Sequence, residues 1–68
     1  MELETIKDLV EKIKSGEIKE KELLIMIDNH DIGIYLNEKP IYIKEFKDLY
    51  AIEALLKLVF PTAQVDWD

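Results

Sequence analysis

Hydrophobic positions change their spacing several times along the chain, and each change marks an expected element. Leu3, Ile6, Leu9 or Val10, and Ile13 recur at steps of three and four, with Glu4, Lys7, Asp8, Glu11, Lys12 and Lys14 on the other faces. That spacing predicts an amphipathic first helix. Its acids come early and Lys12 and Lys14 late, as the helix dipole prefers, and Ser15-Gly16 reads as its stop with Gly16 at the left-handed position after the cap. Ile18 then stands where the chain folds back onto the helix.

From Glu17 to Asn29 the pattern is ambiguous. Leu23 to Ile27 is an uninterrupted apolar run that fits a buried strand or a buried helix. The helix-forming residues Ile18 to Glu22 tip the expectation towards a second helix and an αα-hairpin. Asp28-Asn29-His30-Asp31 ends the element with turn-favouring side chains.

Ile32, Ile34 and Leu36 alternate with Gly33, Tyr35 and Asn37, and after Asn37-Glu38-Lys39-Pro40 the alternation resumes at Ile41 and Ile43. This predicts a β-hairpin with the aliphatic residues on the core side and Tyr35 and Tyr42 together on the opposite face. Lys44 to Phe60 reads as one long helix. Leu49, Ile52, Leu56 and Val59 form its expected core stripe, Ala51, Leu55 and Leu58 flank that stripe, and only Glu53 and Lys57 mark a polar strip in its second half. The resulting expectation is a small α+β fold of order ααββα, with residues 1–61 as a single compact domain and 62–68 as a short acidic tail ending Asp66-Trp67-Asp68.

Composition narrows what this fold can do. A chain of 68 residues without cysteine has neither a disulfide framework nor a thiolate metal site to supplement a small core. Charged residues make up 35% and hydrophobic ones 49%, a mixture that folds and stays soluble. Met1 to Val10 has neither a basic nor an apolar leader region, and no apolar run approaches the ~20 residues of a spanning helix, so a cytoplasmic protein without membrane contact is expected.

The net charge of -6 is spread evenly: five Lys against eight acids up to His30, four against seven after it. All nine cationic residues are Lys, so the forked guanidinium that binds phosphate and guanine is missing, and no nucleic-acid partner is expected.

Candidate chemistry is sparse. Asp28-Asn29-His30-Asp31 holds the sole His, yet as a calcium loop starting at Asp28 it has Ile32 at the fifth place and Lys39 at the twelfth, where a bidentate Glu belongs. One His also falls short of a zinc set. Ser15, the sole serine, lacks a nucleophile elbow, and Gly16 and Gly33 match no phosphate-loop spacing. No enzyme, cofactor or metal is expected.

The expected function is therefore a small acidic protein-interaction or regulatory module. It would be a homodimer through its C-terminal helix, with Ala51, Leu55, Leu58, Tyr35, Tyr42 and Trp67 at the interface. Two alternatives stand beside it: an acidic inhibitor or nucleic-acid mimic from a mobile element, and a DNA-binding regulator of helix-turn-helix type built on Ser15-Gly16-Glu17. The apolar centre Leu23 to Ile27 of the second helix disfavours the last of these.

Overall fold

Thr5 fixes where the first helix begins. Its hydroxyl accepts from the Asp8 N–H at 3.1 Å while the Asp8 carboxylate accepts from the Thr5 N–H, a reciprocal capping box that starts α1, Ile6–Lys14. At the other end Gly16, at φ 87°, lets the Glu17 N–H reach the Lys12 carbonyl and its own N–H reach that of Ile13. This Schellman closure turns Ile18 into the core.

In the computed structural model, which describes residues 3–68, two helices and a four-stranded mixed sheet form a compact α+β unit with a radius of gyration of 11.0 Å. The strands are β1 (Leu23–Ile27), β2 (Asp31–Leu36), β3 (Lys39–Glu45) and β4 (Gln64–Trp67), and α2 spans Leu49–Val59. Their order in the sheet is β3-β2-β1-β4. Both pairs β1–β2 and β2–β3 are antiparallel, while β4 runs parallel to β1, so α2 is the crossover that carries the chain from one sheet edge to the other.

This order, αβββαβ, replaces the expected ααββα. The αα-hairpin does not form. Glu20–Glu22 makes a single 3-10 turn, and Leu23 to Ile27 is the strand that lies between β2 and β4. A strand paired on both sides satisfies all its backbone groups and buries alternate side chains fully, which outweighs the modest helix propensity of the residues before it. Asp28 to His30 accordingly joins two strands: the Asp28 N–H donates to the Asp31 carbonyl at 2.9 Å, and its carboxylate accepts from the Asn29 N–H at 2.6 Å.

The β2–β3 hairpin forms as expected, but its faces differ. Ile34 pairs with Tyr42 and Tyr35 with Pro40, leaving Ile41 as the extra residue of a bulge. The bulge buries both Ile41 and Tyr42 on the helix side and turns Ile43 outwards. Tyr35 and Tyr42 therefore lie on opposite faces of the sheet.

The hairpin turns at Asn37 and Glu38, both at positive φ (53° and 69°). Asn tolerates this region; Glu has no such compensation. Glu38→Gly is expected to stabilise the protein by about 0.5 to 1 kcal/mol, read as a rise in the urea midpoint at unchanged slope.

Strand β3 continues through Lys44 and Glu45, which pair with Ile32 and Asp31, so the final helix begins later than Lys44. Asp48 caps it, its carboxylate accepting from the Ala51 N–H at 3.0 Å. Leu56 is buried and Leu49 and Ile52 pack partly against the core, but Val59 is exposed and Phe60, at the C-cap, takes the inward place expected of it. Residues 64–67 are not a free tail: they form β4, registered with Leu24 to Ile27.

Leu9 of α1, Leu56 and Phe60 cover Leu23, Ile25, Ile27, Ile32 and Ile34 in a single core. Both helices therefore lie on one face of the sheet. The other face has no layer of its own among the described residues.

Candidate functional site

Two uncovered surfaces result from this arrangement, one on α2 and one on the sheet. At about 100° per residue, Tyr50, Ala54 and Leu58 form one row along α2, and Ala51 and Leu55 a second beside it. Both rows point away from the Leu49, Ile52 and Leu56 side. Tyr50 is 76% exposed, Leu58 79% and Leu55 50%, and Ala51 and Ala54 are also exposed. Such a row normally carries charge on the outside of a helix; here the charged residues Glu53 and Lys57 sit on the flank nearest β4.

Trp67 closes that flank. Its ring lies 5.2 Å from the Tyr50 ring, tilted by 33°, and its indole N–H donates to the Glu53 carboxylate, which also pairs with Lys57 at 3.4 Å. The indole hydrogen bond, with Lys57 adding to it, holds the Glu53 carboxyl below its usual range. Trp67 thus joins the end of β4 to α2 and extends the apolar surface past Tyr50. Glu20 has a comparable role at the start of β4: the Thr62 hydroxyl and N–H both donate to its carboxylate, lowering its pKa and tying the turn before β1 to the turn before β4.

Of the residues singled out in the sequence, Ala51, Leu55 and Leu58 share the outward face of α2, and Trp67 adjoins it through Tyr50. Tyr35 is on the uncovered sheet face, remote from this group in the layer order. Tyr42 is in neither place. It is 7% exposed, packed in the core with Ile34, and burial pushes its phenol pKa up. Its assignment to the interface is corrected accordingly. Tyr50 and Ala54, which widen the apolar surface of this helix in the sequence as well, complete the α2 surface on the other side of Leu58.

A hollow of about 250 Å³ lies beside this surface, with Ile6, Tyr42, Phe46, Ile52 and Leu55 among its lining. No group of three or more His, Asp or Glu residues is gathered to hold a metal ion among the described residues, and no described helix is long and apolar enough to cross a membrane. Neither a protein-family model, a curated protein nor a solved structure matches the chain.

Proposed function

We propose that the protein is a non-enzymatic protein-interaction module that pairs with a second copy of itself through α2. The carrying observation is the outward face of that helix, where five consecutive wheel positions from Tyr50 to Leu55 are apolar and exposed. Its order of large and small residues supports self-pairing. With two such helices antiparallel about an axis near Ala54, Tyr50 of each copy meets Leu58 of the other, and Leu55 meets Ala51. The alanines provide the close approach that the larger residues fill.

An 11-residue helix is only about 16 Å long, so the pairing belongs to the small, micromolar class of interface. Sedimentation equilibrium between 5 and 500 µM is expected to resolve a monomer–dimer equilibrium for the native chain. Leu58→Glu removes two buried leucines per dimer, about 1.5 to 3 kcal/mol each, and is expected to weaken pairing at least about 100-fold without changing the far-UV circular dichroism. A native chain that stays monomeric at 500 µM would refute self-pairing.

The acidic-inhibitor alternative gains one observation: Asp31, Glu45 and Asp66 stand on the uncovered sheet face, with Asp28 and Asp68 beside it. The apolar centre of that face distinguishes it from a row of phosphates. The helix-turn-helix alternative is withdrawn, because the segment after Ser15-Gly16-Glu17 has no second helix to enter a groove.

A further inference from the structure

The uncovered sheet face has a composition of its own. Leu24 and Met26 of β1 and Tyr35 of β2 are half-buried on it, and Ile43 of β3 is 57% exposed. Gly33 pairs with Met26 on one side and Ile43 on the other. A Cβ at that position would stand 2.8 Å from Tyr35 Cε1, so the tyrosine ring lies against the glycine and the face stays flat there. Met26, Gly33, Tyr35 and Ile43 form the floor of a hollow of about 250 Å³, and Asp28, Asp31 and Asp68 form its rim.

Charge on this face has one sign. Its strand positions include Asp31, Glu45 and Asp66 but no Lys: Lys44 pairs with Ile32 on the helix side and stands over the Phe46 ring. Lys47 and His30 adjoin Asp31 and Glu45 only at the end of the sheet, in a neighbouring hollow. Among the described residues the ion pairs are Lys12–Glu17 and Lys57–Glu53, so none of the acids on this face is neutralised by a lysine of the chain.

We infer that this face docks a basic, amphipathic segment of a partner protein. Its apolar side chains cover Leu24, Met26, Tyr35 and Ile43. One Lys or Arg lays its aliphatic stem along the Tyr35 ring that covers Gly33 and places its charged head among Asp28, Asp31 and Asp68. The charge pattern selects this occupant over the alternatives. A second copy of the chain would set one acidic rim against another, and nucleic acid or an anionic membrane would be repelled. The surface lies across the sheet from α2, so docking here is independent of self-pairing, and each paired copy would leave its sheet face free.

The test is an unbiased selection of 12-residue peptides displayed on phage against the full chain, followed by titration of the enriched peptides into the 15N-labelled protein. Enrichment of Lys or Arg interleaved with apolar residues is expected. Amide shifts should centre on Leu24, Met26, Gly33, Tyr35 and Ile43 and leave Tyr50 to Leu58 unmoved. Asp31→Asn with Asp68→Asn is expected to weaken binding at least tenfold, and Ile43→Asp to abolish it, both variants keeping the native spectrum elsewhere. Recovery of no peptides, or of acidic or uncharged ones, would overturn the inference. So would shifts that map to α2, or spermine binding as tightly as the peptide, which would reduce the face to a counterion site. None of these results bears on the Leu58→Glu experiment, so the two readings fail separately.

Discussion

Phe60→Ala is expected to cost the protein about 3 to 5 kcal/mol of stability at 25 °C. Phe60 is 2% exposed and is the largest of the fully buried side chains, held at the C-cap of α2 by its N–H bond to the Leu56 carbonyl at 2.8 Å. Truncating a buried Phe costs about 3 to 5 kcal/mol, partly as lost transfer energy and partly as the cavity left behind. A chain of this size has about 3 to 10 kcal/mol in total, so the loss is at least about a third of it. The residue also ends the helix and begins the turn into β4, accepting from the Ala63 N–H at 3.2 Å, so relaxation around the cavity pulls on the Thr62–Glu20 tie and on β4. Urea denaturation followed by Trp67 fluorescence, at one protein concentration so that self-pairing contributes equally, is the measurement. A loss below about 1 kcal/mol would contradict the core position assigned to Phe60.

Alanine substitution along β1 is expected to alternate. Leu23, Ile25 and Ile27 are buried in the core on the helix side of the sheet, and each should cost about 2 to 5 kcal/mol, with Ile25 at the upper end because Ile34 and Val65 flank it in the sheet. Leu24 and Met26, half-buried on the uncovered face, should cost about 1 kcal/mol or less, since their truncation opens to solvent and leaves no sealed void. The contrast separates strand from helix. A buried helix over the same residues would spread its sensitive positions at steps of three and four, making Leu23, Leu24 and Ile27 costly and Ile25 tolerant.

The same segment explains why part of the fold was not legible in the sequence. Leu23-Leu24-Ile25-Met26-Ile27 has no polar residue to fix a period, so strand and helix make equal use of it locally. What separates them is the presence of partners on both sides, one of them β4 from the far end of the chain. β4 itself, a four-residue strand that begins three positions after Pro61, has no pattern strong enough to announce a strand; it is one because β1 presents an open edge beside it. The bulge at Ile41 is a third case. Ile41-Tyr42-Ile43 alternates faultlessly as written, and one extra residue in the ladder moves Tyr42 into the core and Ile43 out of it.

Signals contained within a turn or two of chain could be read directly. The amphipathic period of α1, its Ser15-Gly16 stop, the fold-back of Ile18, the β2–β3 hairpin and the excess of apolar residues on the last helix all depend on neighbours no more than a few positions away. That excess is the basis of the proposed pairing surface, and Ala51, Leu55 and Leu58 are exposed together in the structure. Composition likewise gave the charge and the lack of arginine, but not where the acids collect.

The amino-acid sequence by itself thus determined an α+β chain with a hairpin at its centre and a final helix too apolar for one small core. Tertiary structure decided that the helices share one side of the sheet, that β1 lies inside it, and that acids from three strands, the β1–β2 turn and the residue after β4 gather around the opposite face. The physical reason is range. Caps and helical periods are satisfied by residues close in sequence, whereas strand partners, bulges and the sign of a surface depend on which distant segments meet, and no local pattern records that.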